Sequence, residues 1–145
     1  MSKKLHIPKI INFKKYKDKR GYLVPFETSK KKFRKNTLPF VIKRVFFSIG
    51  KKNYSRGDHS HKKCNQLLVC LNGKINIQTI DLKGNKRIFY LSKSKNKALF
   101  LPPFVWNRIY FKNNESILGV ICDYKYDNKN EYINKFKDFK KLMKK

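Results

Sequence analysis

Apolar residues occur along most of this chain in short runs, which are separated by turns rich in glycine, asparagine and lysine. The run after Asn72-Gly73 alternates between apolar and polar side chains, and this dipeptide is typical of a tight hairpin. Short runs bounded by turn residues predict β-strands. The pattern predicts strands over residues 9–13, 22–27, 40–49, 66–71, 74–82, 87–91, 98–101, 106–111 and 116–124.

The hydrophobic period changes near the C-terminus. There the apolar side chains recur at helical spacing and predict one amphipathic helix over residues 130–143 that packs on the sheet; they are Tyr132, Ile133, Phe136, Phe139 and Leu142. Residues 28–39 are basic and polar and predict a loop, and residues 50–57 predict a turn.

About ten short, closely spaced strands predict an all-β sandwich or barrel. A chain of 145 residues has room for one core of ordinary size. We therefore expect a single domain over residues 1–145, with the C-terminal helix closing one side of it. No internal repeat or linker divides the sequence.

The chain is strongly basic, with a formal net charge of +28 from 37 Lys and Arg residues against 9 Asp and Glu residues. Such a field attracts anions, so nucleic acid and small anionic ligands are both candidate partners. The lysines are scattered along the whole chain and do not cluster on one predicted element. This distribution favours a solvated basic surface, and we expect no nucleic-acid partner.

The cysteines Cys64, Cys70 and Cys122 are three in number and widely spaced, so they form neither a C-x-x-C pair nor a disulfide framework. Reduced thiols are typical of the cytoplasm. The first residues contain no apolar run long enough for a signal peptide, and no apolar run approaches the roughly 20 residues that a membrane-spanning helix needs. We expect a cytoplasmic protein without a membrane partner.

The candidate chemistry lies in the motif Arg56-Gly57-Asp58-His59-Ser60-His61. In an extended chain alternate residues share a face, so His59 and His61 point to the same side. Imidazoles titrate near neutral pH and can bind a metal or move protons.

This motif resembles that of the cupin superfamily. Metal-binding cupins place Glu where this chain has Gln66, followed by a glycine at the position of Gly73, and place a further His where it has Asn107. Amides are poor ligands for transition metals, so the replacements favour histidine acid–base chemistry. We expect neither a metal nor another cofactor.

The chain is similar, over most of its length, to the dTDP-4-keto-6-deoxyglucose 3,4-ketoisomerases. The matching segments are Asp18-x-Arg20-Gly21, Ile42-Lys43-Arg44-Val45, Arg56-Gly57 with His59 and His61-Lys62-Lys63, residues 68–73, Val105-Trp106, Asp123-Tyr124, Tyr132-Ile133 and Phe139-Lys140-Lys141. Asn107 departs from the resemblance, because related enzymes often have His after the tryptophan. Phe46 and Phe47 depart too, since tyrosines occur near this position.

The resemblance implies a metal-free, homodimeric cupin of jelly-roll type. It also implies conversion of a dTDP-linked 4-keto-6-deoxy sugar into its 3-keto isomer, on the way to 3-amino sugars of surface glycans such as lipopolysaccharide. His61 is expected to carry the proton from carbon 3 to carbon 4, and His59 to serve the hydroxyl or carbonyl oxygen. Asp123 is a candidate for orienting one imidazole.

The anionic diphosphate needs cationic partners, and arginine binds phosphate oxygens through a rigid fork. Arg20, Arg44 and Arg56 lie inside the similar segments, and Arg20 is expected to act on the neighbouring subunit. Lys63 is a further candidate. Substrate contacts are also expected from Gln66, Trp106 and Asn107.

Three other functions are alternatives for a cupin with this motif. A sugar-nucleotide 3,5-epimerase also begins by removing a proton beside a ketone. A non-catalytic cupin would bind a sugar or nucleic acid without turnover, and a metal-dependent dioxygenase would need the ligands that this chain lacks.

Overall fold

The computed structural model describes residues 6–28 and 36–145. Within them the chain forms fourteen strands and one helix. In order these are β1 (Lys9–Asn12), β2 (Tyr16–Asp18), β3 (Gly21–Leu23), β4 (Glu27–Thr28), β5 (Thr37–Leu38), β6 (Arg44–Gly50), β7 (Ser55–His61), β8 (Gln66–Asn72), β9 (Lys74–Ile80), β10 (Lys86–Ser92), β11 (Lys97–Leu101), β12 (Trp106–Phe111), β13 (Ser116–Cys122), β14 (Tyr132–Ile133) and α1 (Phe136–Met143).

Two five-stranded sheets carry the fold, in the orders β1-β11-β8-β13-β6 and β10-β9-β12-β7-β14. Every pairing within these two sheets is antiparallel. Their facing sides bury one apolar core, because β-branched and aromatic side chains alternate along the strands; it includes Leu68, Ile75, Ile77, Leu99, Phe111, Leu118 and Val120. The predicted all-β jelly-roll class is confirmed.

The outer side of the first sheet is partly covered by the N-terminal region. Phe13, Leu38 and the half-buried Val24, Phe26, Phe40 and Ile42 pack there against Leu67, Val69 and Ala98. Of the predicted loop 28–39, residues 29–35 lie outside the described residues, and Thr37–Leu38 forms β5, paired with β4. The predicted strand 22–27 is divided between β3 and β4.

The C-terminal helix begins later than the sequence pattern predicts. Tyr132–Ile133 forms β14, in which Tyr132 pairs with His61 and Ile133 with Ser60. The prediction of helix from residue 130 is therefore wrong up to residue 135. The edge of β7 was open, and Tyr132 and Ile133 pair with it as a strand instead. From Phe136 onward the apolar spacing does form α1, with Phe139 fully buried.

Strand β7 starts at Ser55, so the predicted turn over 50–57 is also wrong at its end. The backbone carries an irregularity here, because Gly57 and Asp58 have φ angles of +88° and +57°. The register with β12 shifts at the same place, between Asn107 and Arg108. Such β-bulges redirect side chains and are frequent beside active sites.

Within the described ranges, no helix has the length and apolar character needed to cross a bilayer.

Candidate active site

A cavity of about 530 Å³ lies between the two sheets. Its walls are mostly apolar, with a small set of polar side chains, which is the usual composition of a small-molecule site. Of the residues predicted for the site, the cavity walls include Arg56, His59, Gln66 and Asn107; the others are Phe46, Phe47, Ser48, Ile49, Gly57, Leu68, Ile109, Phe111, Leu118, Val120 and Tyr132.

The two histidines of β7 share one face, as the alternation predicts, and their ring centroids are 5.0 Å apart. His59 is half-buried in the cavity wall, and its Nδ1 lies 3.1 Å from the carbonyl oxygen of Gly57. A carbonyl oxygen only accepts, so Nδ1 carries the proton and Nε2 keeps its lone pair. Burial lowers the pKa of His59, although Gly57 and Asp58 oppose the shift. The ring is therefore a neutral base at neutral pH.

Gly57 makes this arrangement possible. A Cβ atom at this position would lie 2.7 Å from Oδ1 and 2.8 Å from the backbone oxygen of Asn107. The amide of Asn107 also donates to the His59 carbonyl oxygen at 3.1 Å. Because Gly57 has no Cβ, β12 can approach β7 closely enough for the Asn107 side chain to hydrogen bond the backbone of His59.

His61 lies deeper than His59 and is only 3% exposed. Its Nδ1 is 3.5 Å from Oε1 of Glu131. Burial, followed by the nearby His59 and Arg44, lowers the pKa of His61 to about 3. His59 lines the cavity, and His61 is its more deeply buried neighbour.

Two residues that the sequence analysis missed complete this group. The Tyr132 ring contacts both histidines, with centroid separations of 5.0 Å to His59 and 4.6 Å to His61. Glu131 is buried next to His61. Tyr132 lies in a segment that carried the family resemblance, but the helical periodicity concealed its pairing with β7. For Glu131 the sequence offered no signal beyond its position beside Tyr132.

The neutral amides occupy the cavity wall, as expected. Gln66 is buried, and its amide donates to Cys122 Sγ at 3.7 Å. Ser48 was missed by the sequence analysis, yet it also lines the cavity. Its Oγ is buried and has no hydrogen-bond partner among the described residues. A ligand hydroxyl or carbonyl group in the cavity would satisfy this atom.

Arg56 and Arg44 differ in their surroundings. Arg56 is exposed at the cavity wall and makes no ion pair within the described residues. Arg44 stacks on the rings of Phe46 and Tyr126, at 5.2 and 5.5 Å. It also donates to Cys122 Sγ at 3.7 Å and hydrogen bonds the Tyr132 side chain. Arg56 is therefore available to a ligand, whereas Arg44 braces the tyrosine beside the histidines.

Arg20 and Lys63 do not line this cavity. Arg20 lies on the β2–β3 hairpin, where its side chain is 82% exposed and pairs with Asp18. Lys63 is exposed, and its ammonium group lies 5.7 Å from the centre of the Tyr124 ring.

Asp123 and Trp106 also lie apart from the histidine pair. The Asp123 carboxylate accepts hydrogen bonds from the backbone and side-chain amides of Asn65, both at 2.7 Å. Asp123 therefore stabilises the turn before β8. It was expected to orient an imidazole, but the carboxylate that lies beside one is that of Glu131. Trp106 packs against Phe136 and Phe139 of α1, with centroid separations of 5.1 and 5.8 Å.

Over residues 6–28 and 36–145, no three His, Cys, Asp or Glu side chains are grouped so that they could hold a metal ion. The polar groups that line the cavity with His59 are two amides, two hydroxyls and a guanidinium. Such a set donates hydrogen bonds to oxygen atoms and supports proton transfer by the imidazole.

Comparison with known proteins agrees with this chemistry. The model of the family described as "FdtA: WxcM-like, C-terminal" matches residues 6–144. A curated TDP-4-oxo-6-deoxy-α-D-glucose-3,4-oxoisomerase from Aneurinibacillus thermoaerophilus is 36% identical over 136 residues, which cover 93% of this chain and 91% of the relative.

Two solved structures have the same architecture. One is the 3,4-ketoisomerase QdtA from Thermoanaerobacterium thermosaccharolyticum, as a histidine-to-asparagine mutant in complex with TDP-4-keto-6-deoxyglucose; it has a TM-score of 0.82, 31% identity and 94% coverage of both chains. The other is a 3,4-ketoisomerase from Helicobacter canadensis, with a TM-score of 0.83, 29% identity and coverage of 95% of this chain and 98% of that one. The resemblance seen in the motifs is confirmed, and the chain belongs to the FdtA-like family of sugar 3,4-ketoisomerases.

Proposed function

We propose that this chain converts dTDP-4-keto-6-deoxy-D-glucose into a dTDP-3-keto-6-deoxyhexose. The observation that carries the proposal is a histidine of fixed tautomer, His59, in the wall of a cavity whose other polar groups suit sugar oxygens. The family relationship supports the same substrate, because a related ketoisomerase was crystallised with TDP-4-keto-6-deoxyglucose.

The reaction moves two protons. The hydrogen on carbon 3 is acidic because it neighbours the ketone at carbon 4, and its removal gives an enediolate. Carbon 4 then receives a proton, while the hydroxyl proton passes from the oxygen on carbon 3 to the oxygen on carbon 4. The product has the same atoms and charge as the substrate.

We assign the carbon-bound proton to His59. Its Nε2 has a free lone pair and its ring lines the cavity, whereas the neighbouring His61 is more deeply buried. This assignment reverses the one that the sequence suggested, in which His61 carried this proton. His61 then serves the oxygen-bound proton, and Tyr132, which touches both rings, keeps the pair packed together.

For the diphosphate we propose Arg56 as the principal contact within the subunit. The guanidinium is exposed at the cavity wall, and its two-pronged geometry matches phosphate oxygens. Gln66, Asn107 and Ser48 are assigned to the sugar, since they surround His59. Lys63, Trp106 and Asp123 are assigned to support of the surrounding structure, because their side chains contact protein groups outside the cavity. Arg44 is assigned to support of the cavity wall itself, because it contacts Phe46 and Tyr132.

We further propose that the protein is a homodimer. Strand β6 is last in its sheet, and its side chains Val45, Phe47 and Ile49 are more than half exposed, with Leu71 nearby. Exposed apolar side chains on an edge strand favour association. A second copy would cover them, and the exposed Arg20 hairpin is free to reach the neighbouring cavity, as the resemblance implies.

The place of the reaction in the cell is also a proposal. All three cysteines are buried free thiols, which fits a reducing cytoplasm. A 3-keto sugar is the direct substrate for an amine transfer to carbon 3, so we propose that the product leads to 3-amino-3,6-dideoxy sugars of surface glycans such as lipopolysaccharide.

The decisive experiment is incubation of the protein with dTDP-4-keto-6-deoxy-D-glucose in D₂O, followed by NMR. We expect the ketone to move to carbon 3 and deuterium to appear at carbon 4. Deuterium at carbon 5 without ketone migration would instead indicate a 3,5-epimerase. Binding without any exchange would indicate a cupin that binds but does not catalyse.

A further inference from the structure

Glu131 is buried directly behind the histidine pair, with 2% of its surface exposed. Its Oε1 accepts hydrogen bonds from the backbone N–H groups of Lys63 and Cys64, at 2.9 and 2.7 Å. The same oxygen lies 3.5 Å from Nδ1 of His61. A carboxylate is costly to bury, so its position against an imidazole needs a reason.

Two atoms of this pair have no hydrogen-bond partner among the described residues. They are Nδ1 of His61 and Oε2 of Glu131, and both are fully buried. Unsatisfied buried polar atoms are rare in native proteins. A small rotation of the Glu131 carboxylate would let these two atoms satisfy each other, because the side chains already touch.

We propose that Glu131 is the positioning residue of His61, whose carboxylate accepts a hydrogen bond from Nδ1–H and so keeps the Nε2 lone pair free. This inference rests on the proposed ketoisomerase function, in which His61 moves the hydroxyl proton between two sugar oxygens. For that task Nε2 of His61 must first accept a proton. A carboxylate that accepts a hydrogen bond from Nδ1–H keeps the ring proton on Nδ1, so the lone pair of Nε2 remains available.

The charges around His61 give Glu131 a second effect. Burial disfavours a proton on this ring, and His59 from β7 and Arg44 from β6 act in the same direction, so the pKa of His61 falls to about 3. Tyr132 faces the ring from β14 as a neutral phenol whose pKa is raised by burial. Glu131 is the one carboxylate within the described residues that contacts His61. It therefore stabilises the imidazolium that forms briefly during proton transfer.

The test is Glu131→Gln in the full-length protein. Glutamine keeps the size of the side chain and an Oε1 that accepts from Lys63 and Cys64. Its amide nitrogen would face His61 as a donor, which forces Nδ1 to accept and moves the ring proton to Nε2. We expect kcat to fall roughly 10²–10³-fold, while the Kd for TDP changes less than threefold.

The tautomer of His61 is measured by ¹⁵N NMR of protein labelled at its histidines. The His61 signals are identified as those that disappear from the spectrum of His61→Asn. We expect Nδ1–H in the wild type and Nε2–H in Glu131→Gln. A wild-type spectrum with the proton on Nε2 would overturn the proposal without any variant, so it stays testable if Glu131→Gln does not fold.

Asp81→Asn provides the matched control. Asp81 is also buried, and its Oδ1 accepts from the backbone N–H groups of Lys83 and Asn85 at 2.9 and 3.0 Å. It is not among the described residues that contact His59 or His61. We expect it to leave kcat and the His61 tautomer unchanged. An equal loss of kcat in both variants would overturn the positioning role. If the wild type is inactive on the keto sugar, the proposed function fails, while the NMR result still decides whether Glu131 sets the tautomer.

Discussion

Nδ1 of His59 lies 3.1 Å from the carbonyl oxygen of Gly57, two residues earlier in the same strand. This contact depends on the bulge at Gly57 and Asp58, which bends the carbonyl toward the ring. Since it fixes the proton on Nδ1, it leaves Nε2 as a base in the cavity. In the proposed reaction, the two histidines therefore move different protons.

Asparagine at the two histidine positions should give different defects. We expect His59→Asn to lower kcat roughly 10²–10⁴-fold and to abolish deuterium exchange at carbon 3, because no base remains. His61→Asn should also lose isomerisation, but carbon 3 of the recovered substrate should still exchange, since His59 can remove and return that proton. NMR of substrate recovered from D₂O measures both. Exchange in His59→Asn but not in His61→Asn would return the base to His61.

The sequence predicted the main sheets well because their strands bury alternating apolar side chains. Its errors share one cause. Strand β7 supplies polar side chains to the cavity wall and β14 covers an open edge, so neither has the apolar pattern of a core strand. Ile133 is buried in β14 and would be buried in a helix as well, so periodicity alone could not separate the two structures.

Gly57→Ala should be much more harmful than Gly84→Ala. Both glycines have similar positive φ angles, +88° and +83°, so each substitution introduces backbone strain of roughly 1–2 kcal/mol. At Gly84 the nearest atom to the new Cβ is the flexible methyl of Met143 at 3.3 Å, whereas at Gly57 it would overlap Asn107. We expect Gly57→Ala to lose more unfolding free energy in urea and most of its turnover. Equal losses would show that the close approach of β12 is unimportant.

Arg56 should govern the affinity for the nucleotide. Removing a charge-assisted hydrogen bond to phosphate in Arg56→Ala should raise the Kd for TDP roughly tenfold to a hundredfold in calorimetry. Arg87→Ala is the control, because Arg87 lies on β10 and lines a separate surface groove with Lys86 and Ile88. If both variants raise the Kd for TDP equally, the diphosphate is bound through the overall positive charge of the protein and not through a specific contact with Arg56.

The pairing of the two histidines could be predicted from the sequence, but the residues that surround and position them could not. A His-x-His motif places two rings on one face whatever surrounds them. Which carboxylate reaches them depends on how a distant segment pairs, and the choice between Asp123 and Glu131 required the β7–β14 pairing. In the same way, the alternation within β12 determines that Asn107 faces the cavity and Trp106 faces α1.

The exposed face of β6 should hold two subunits together. We expect Val45→Glu to convert a dimer into a monomer in size-exclusion chromatography with light scattering, because a charge would be buried in the interface. Val45 does not line the cavity, so its effect on turnover reports on the partner's contribution. Ile88→Glu is the control, since Ile88 is similarly exposed on the other sheet. A wild-type monomer, or a Val45→Glu dimer, would contradict the proposed interface.

Acid should destabilise the protein through His61 well before the carboxylates protonate. The pKa of this ring is lowered from 6.5 to about 3 by burial and by the nearby His59 and Arg44. Between these two pKa values, His61 is protonated in the unfolded chain but not in the folded chain. The unfolding free energy therefore falls as the pH drops below 6.5. The loss approaches about 1.4 kcal/mol per pH unit for one such group.

We expect urea titrations between pH 7 and 5 to show this dependence of the unfolding free energy on pH. In His61→Asn the slope should be smaller by the contribution of one proton, about 1.4 kcal/mol per pH unit. His59 has a lowered pKa as well and accounts for the slope that remains. An unchanged slope in His61→Asn would mean that His61 is readily protonated in the folded state, with Glu131 as its counter-charge.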